Sequence, residues 1–204
     1  MSDAGIGRVL VASLHQGIGD LMPSRLEFYE NWLNPEGLRL GTIGLAPLNA
    51  VLSFLRQEGD RYDPVMARAG ACAADWLLAE RGPRRGALMR RLPPAIRGRF
   101  ALRTASRLVR ACYRGNRAAV RLEGRAGTLT IRDSVFCKVR EPVPHPLCGF
   151  YASLAARVLR VYGLDGSVRA HACRAAGGET CEISFTLAPY RDIPQPEPVS
   201  EVAS

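Results

Sequence analysis

The sequence predicts an α+β fold in which helices pack on one face of a four-stranded antiparallel sheet. Three observations predict it. Apolar residues recur at helical spacing through most of the chain up to Gly115. Two pairs of alternating segments follow, each pair folded about a glycine-bearing turn. A cysteine-led helical segment lies between the two pairs.

Gly5 to Asp20 reads as a first helix, and Ser24 to Leu33 as a second, opened by Ser24 with Glu27 three residues on as a capping box. Asn34-Pro35-Glu36-Gly37 stops it, and Leu38 to Leu45 is short and extended or loop. Pro47 sits in the first turn of a helix running through Asn49, Val51, Leu52 and Leu55 to Gly59. Pro64 opens another, with Met66, Ala69, Cys72, Ala73, Trp76 and Leu77 at helical spacing. Arg84 to Leu92 reads as a short basic helix ended by Pro93-Pro94, and a longer basic helix then runs to Gly115-Asn116.

The strands come late. Arg117 to Glu123 and Thr128 to Val139 alternate in character about Gly124-Arg125-Ala126-Gly127, a first hairpin. Pro142, Pro144 and Pro146 form a stiff connector to the helix Gly149 to Tyr162, whose apolar face is Phe150, Leu154, Val158 and Val161 and whose stop is Gly163. Ser167 to Arg174 and Thr180 to Leu187 make the second hairpin, pivoting on Gly177. This divides the chain into an N-terminal helical extension (1–45), one α+β domain (46–188, with 117–188 as its most characteristic part) and a Pro- and Glu-rich tail (189–204) of disordered composition.

Counting outward from Gly177 sets Cys173 opposite Cys181, and Cys148 enters at the start of the intervening helix. His171 lies two residues before Cys173 and so shares its face on a regular strand. Zinc takes about four nitrogen or sulfur ligands in a tetrahedron, and Cys148, His171, Cys173 and Cys181 complete such a set. The spacing is not that of a zinc finger, since no C-x-x-C pair occurs. The plain alternative is that these small cysteines fill a core.

The 204 residues suffice for one sizeable core, and 47% hydrophobic content excludes a disordered chain. No apolar run approaches the roughly 18–20 residues of a membrane span, and the N-terminus carries Asp3 without a basic leader, so a cytoplasmic location is expected. In that compartment the six cysteines read as thiols or metal ligands.

The net charge of +9 is uneven: residues 81–125 hold 14 arginines against one acid, Glu123, and Lys138 is the only lysine of the chain. Arg99, Arg103, Arg107, Arg110 and Arg114 line one face of the long basic helix opposite Leu102, Ala105, Leu108, Val109 and Cys112. The stripe can be a solvated face, an anionic-membrane contact, a nucleic-acid contact, or a platform on which Arg103, Arg107 and Arg110 meet the carboxylates of a ligand. Nucleic acid is disfavoured because Phe100 and Tyr113 are the only aromatics there, too few for a stacking platform.

The last 70 or so residues, from the first hairpin to Phe185, resemble the 4-vinyl-reductase domain family. The residues that carry the resemblance are Cys148, Cys173, Gly177-Gly178, Cys181 and Phe185; Ala46-Pro47-Leu48-Asn49-Ala50-Val51 is similar to a helix start in the bacteriochlorophyll-biosynthesis members. The resemblance implies a fold shared with trafficking-complex subunits of the TRAPP type and binding of small hydrophobic molecules such as hydrocarbons, phenols or tetrapyrroles. It also implies zinc on the matching cysteines, together with a glutamate three residues before the hairpin's first cysteine. That position is Ala170 here, and His171 is the neighbouring candidate.

A reductase working alone would need a nicotinamide or flavin site. Gly5-Ile6-Gly7 and Gly17-Ile18-Gly19 each lack the third glycine of a dinucleotide turn, and no phosphate loop, nucleophile elbow or zinc-protease motif occurs. His15 and His145 are isolated. The leading expectation is therefore a non-catalytic carrier of a hydrophobic, anion-bearing small molecule held between helices and sheet, with Phe54, Trp76, Tyr113 and Phe150 as wall residues and a structural zinc. The alternatives are an accessory or catalytic factor in tetrapyrrole 4-vinyl reduction acting with a separate redox cofactor or partner, and a basic interaction or nucleic-acid-binding module. A homodimer and a peripheral membrane contact are compatible with any of them.

Overall fold

Six helices and a four-stranded antiparallel sheet are formed by residues 6–33, 44–80 and 92–189, which are the residues that the computed structural model describes. The expected stop at Asn34 to Gly37, the segment from Leu38, the basic helix from Arg84 and the tail beyond Pro189 lie outside them. The helices are α1 (Arg8–Leu21), α2 (Leu26–Leu33), α3 (Leu45–Gln57), α4 (Tyr62–Ala79), α5 (Pro94–Cys112) and α6 (Gly149–Val161). The strands are β1 (Arg117–Glu123), β2 (Ala126–Arg132), β3 (Leu164–Asp165), β4 (Val168–Ala172), β5 (Cys181–Thr186) and β6 (Ala188–Pro189).

Helix positions follow from the apolar stripes. α1 buries Leu10, Val11, Leu14 and Ile18, and α4 buries Val65, Met66, Ala69, Ala73 and Leu77. The two helices meet at Gly17, where a Cβ would come within 2.9 Å of the Val65 carbonyl oxygen. α4 in turn lies against α6 at Gly70, where a Cβ would stand 2.1 Å from the Phe150 carbonyl oxygen, so only glycine permits this approach. α2 is preceded by a 3-10 turn at Pro23–Arg25. α5 buries Ala101, Leu102, Ala105, Leu108, Val109 and Cys112 and turns its arginines outward, as its pattern requires.

The sheet order is β1-β2-β5-β4. The first hairpin closes through Gly124 at φ +60° with a negative φ at Arg125, the sign pattern of a type II′ turn. Ala118, Val120, Leu122, Leu129, Ile131, Ile183 and Phe185 face the helices, while Arg117, Arg121, Thr130 and Arg132 share the opposite face. α5 covers β1 and α6 covers β4, leaving that second face outside.

Three features depart from the sequence reading. β2 stops at Arg132 rather than running to Val139: Asp133 takes φ +61°, a conformation Asp tolerates better than most residues, and a 3-10 turn at Val135–Cys137 follows. β4 carries an irregularity, for Ala170 pairs with Ile183 and Ala172 with Glu182, so His171 is an extra residue. β3 and β6 form a second, two-stranded sheet, made possible by Gly163 at φ +67°, which turns the chain at the end of α6. Arg97 of α5 reaches that helix end and donates to the carbonyl oxygens of Tyr162 and Gly163 at 3.3 and 3.1 Å.

Candidate metal centre

Four thiols converge where the two hairpins and the connector meet. Cys137 ends the 3-10 turn after β2, Cys148 immediately precedes α6, Cys173 follows β4, and Cys181 opens β5. The Cys137 Sγ lies 3.3 Å from that of Cys148 and 3.2 Å from those of Cys173 and Cys181. The Cys148–Cys173 and Cys173–Cys181 separations are 3.7 and 4.0 Å, and all four sulfurs lie within 4.8 Å of one another. A tetrahedron with Zn–S near 2.3 Å has edges of roughly 3.8 Å, and the observed separations bracket that value. The group is buried, Cys137 being the member whose remaining atoms reach the surface.

Local structure fixes each donor. Cys173 is extended, at φ −147° and ψ 135°, and its carbonyl accepts from the amides of Ala176 and Gly178, which closes the hairpin turn about Gly177 at φ +87°. The Leu147 amide donates to the Cys173 sulfur at 3.4 Å. The connector is held by the Tyr62 hydroxyl, which donates to the Leu147 carbonyl at 3.1 Å, and by the Val143 amide, which donates to Ala175 at 2.8 Å. Phe136, Phe150 and Tyr151 stack edge to face or tilted behind the sulfurs, with ring centroids 5.0–5.4 Å apart.

The sulfurs divide electrostatically into two kinds. Cys173 is drawn far below the ordinary thiol range, first by Cys137 and then by Cys148 and Cys181, with the Leu147 amide adding to them. Cys137 is also lowered, chiefly by the Cys148 thiol. Cys148 and Cys181 are pushed up, Cys137 being the largest cause for both. Four sulfurs sharing protons at this spacing are the donor set of a soft or borderline cation, because a metal replaces the shared protons and satisfies every thiolate. The two remaining cysteines are apart from the centre: Cys112 is held at about 12 by burial, and Cys72 is raised by the same cause.

Three of the four ligands expected from sequence, Cys148, Cys173 and Cys181, are thus brought together, and His171 is not. The extra residue in β4 reverses the face of His171 relative to Cys173, and the imidazole is exposed on the outer side of the sheet. Cys137 stands in its place. The sequence reading missed it by extending β2 to Val139; the signal available was Asp133-Ser134, a turn pair, with four of the six cysteines falling between 137 and 181.

The expected wall residues do not share a cavity. Phe150 lies in the core, Phe54 packs against Phe28 and Trp32 at 5.1 and 5.4 Å, and Trp76 is exposed. Tyr113 lines a cleft of about 640 Å³ beside Cys137, together with Lys138, Arg140 and Arg174, and the Lys138 ammonium sits 5.6 Å from its ring centroid. Arg103 and Arg107 point to solvent, whereas Arg110 borders a separate hollow at the edge of β1. His15 binds Glu30 at 2.7 Å, away from the centre. No described helix is long and apolar enough to cross a membrane.

No protein-family model matches the chain, and no curated protein does. Among solved structures the fold is similar to an H-NOX protein from S. oneidensis in the Fe(II)NO ligation state, with a TM-score of 0.58 and 11% identity over 90% of this chain and 99% of that one. An unliganded Fe(II) H-NOX protein mutant from K. algicida matches at a TM-score of 0.51 and 8% identity, over 92% and 98% of the two chains. A trafficking protein particle complex subunit 3 from Naegleria fowleri, covalently bound to palmitic acid, matches at 0.46 and 14% identity over 88% and 97%.

Proposed function

We propose that this chain is a metal-clasped binding protein for a small hydrophobic molecule bearing an anionic group, with zinc as the resident ion. The observation that carries the reading is the convergence of four buried sulfurs at tetrahedral spacing from three separate segments. Cys137, Cys148, Cys173 and Cys181 would hold the ion, and all four positions being protein thiolates makes its role structural: it draws the connector and the second hairpin together. The family resemblance in Cys148, Cys173, Gly177-Gly178, Cys181 and Phe185 supports three of these four ligands, Cys137 taking the place of the glutamate it implies.

The ligand reading rests on the cleft beside that clasp. The space between helices and sheet is filled by Phe136, Phe150, Tyr151 and Leu154, all fully buried, so the cleft of about 640 Å³ is the better seat, within the size range of small-molecule sites. Tyr113 forms a buried part of its wall beneath the Lys138 ammonium, and Lys138 and Arg140 offer cations to a carboxylate or phenolate, while Arg174 stands 3.8 Å from Asp133 and Glu141 also lines the cleft. An architecture also found in H-NOX proteins in an Fe(II)NO ligation state is compatible with a bound small ligand.

Native mass spectrometry and elemental analysis of protein purified from its own host test both halves. One zinc per chain and an added organic mass are expected. A metal-free protein with reactive thiols would overturn the clasp, and ligand mass unaffected by Lys138→Ala, Arg140→Ala would overturn the cleft.

A further inference from the structure

A second hollow, of about 550 Å³, opens at the edge of the sheet on the side of β1, and three arginines border it: Arg110 from the last turn of α5, Arg117 from the start of β1 and Arg132 from the end of β2. Its floor is made by the edge strand at Ala118 and by the small outer-face side chains of Ala119 and Thr130, which leave the hollow open. No described acidic residue lines it, and none of the three arginines forms an ion pair with a described residue. Glu182, the register partner of Thr130 on the same face, is engaged by the Thr180 hydroxyl at 3.4 Å.

The pairing itself is unfavourable. Arg117 and Arg132 are direct register partners on the outer face of an antiparallel pair, where Cβ atoms stand roughly 4.5–5.5 Å apart and like charges repel. Arg110 has one local explanation, since its Nε donates to the Ser106 carbonyl at 3.4 Å near a helix C-terminus, but that contact leaves its terminal nitrogens without a described partner. The wall between helix and strand is fixed, for the Asn116 amide donates to Val109 and to Tyr151 at 2.9 and 2.8 Å, and the Ser106 hydroxyl donates to Ala118 at 3.0 Å.

From this convergence we infer that the Arg110, Arg117 and Arg132 hollow binds the phosphate group of a phosphorylated organic molecule. Guanidinium forks match phosphate oxygens two at a time, three of them suit a group of charge near −2, and the alanine and threonine floor accepts the apolar part of the molecule. The inference is independent of the metal clasp and of the cleft beside it, which lies at other residues. Free phosphoesters and phospholipid headgroups share this chemistry.

Isothermal titration with pyrophosphate and with phenyl phosphate, and sedimentation with phosphatidylcholine vesicles with and without phosphatidic acid, separate the two sources. Three proteins are compared: the wild type, Arg117→Ala with Arg132→Ala, and, as a control of equal charge loss, Arg99→Ala with Arg103→Ala on the outer face of α5. Loss of about tenfold or more in affinity for the soluble phosphates in the first variant alone is the expected result. Binding only to phosphatidic acid vesicles, lost in the same variant, assigns the site to a lipid headgroup. Equal binding by all three proteins, an equal loss in the control, or no binding to any probe overturns the inference. Removing the like-charged pair should leave the fold at least as stable, and Arg117→Gln alone, expected to weaken binding in the same direction, serves as a milder second variant.

Discussion

Replacing Cys137 with serine tests the proposed metal clasp apart from the packed core, because Cys137 is the half-buried member of the four while its sulfur touches all three others at 3.2–3.3 Å. A structural zinc ion contributes roughly 10–16 kcal/mol of apparent binding free energy, so each of four equivalent sulfurs carries roughly 2.5–4 kcal/mol. Losing one weakens metal affinity by roughly two to three orders of magnitude at about 1.4 kcal/mol per decade. If free zinc stands at about 100 times the wild-type dissociation constant, the hundredfold loss removes roughly 2.3 kcal/mol of linked stability. At about 2–4 °C per kcal/mol for a chain of this size, Tm falls by roughly 5–9 °C. Competition against a chromogenic chelator gives the affinity, and melts with and without EDTA give the linkage. His171→Ala is the matched control and should change neither. Wild-type metal content in Cys137→Ser, loss of metal in His171→Ala, or identical wild-type melts with and without EDTA would each refute the assignment.

Gly70→Ala should lower Tm by roughly 2–12 °C in calorimetry, since its Cβ would stand 2.1 Å from the Phe150 carbonyl and force α4 off α6 at an overpacking cost of about 1–3 kcal/mol. Tyr151→Phe leaves the buried Asn116 side chain with Val109 as its remaining partner and should cost about 1–3 kcal/mol in urea unfolding, with an unchanged m-value. Cys112, held at about 12 by burial, contributes stability that is fully present below the thiol's unfolded value of roughly 8.5 and is lost as pH rises toward 12. In that window the folded state keeps a proton that the unfolded state releases, so urea titrations should show stability falling by up to about 1.4 kcal/mol per pH unit from this group. Cys112→Ala should flatten the slope by that amount; an unchanged slope would show that Cys112 ionises freely.

The layer order was legible because each element carries its own period. Leu102, Ala105, Leu108, Val109 and Cys112 place α5 and its arginine face from sequence alone, and Gly124 and Gly177 mark turns whose positive φ favours glycine. β3 and β6 were not legible: two residues each carry no period, and their pairing is set by the fixed end of α6 and by Arg97 from a distant helix. Cavities were not legible either. Phe54, Trp76, Tyr113 and Phe150 are all large and apolar in sequence, yet only tertiary packing decides that Phe150 is enclosed, Trp76 is exposed and Tyr113 walls a cleft.

The four-cysteine cluster shows why three of its members could be found and one could not. Cys173 and Cys181 face each other by hairpin register, and Cys148 heads a helix, so each position follows from a regular element. Two irregularities complete the set. Asp133 at φ +61° ends β2 after Arg132, and the 3-10 turn that follows carries Cys137 back to the other sulfurs instead of onward along the sheet. The extra residue at His171 turns the imidazole outward while returning Cys173 to the inner face opposite Cys181. Regularity at either position would break the tetrahedron: an unbroken β2 would carry Cys137 past the hairpin, and an unbulged β4 would put His171 and Cys173 on one face. Sites that need donors from several elements gather them where strands stop being strands, and periodicity is the one signal that cannot report such a place.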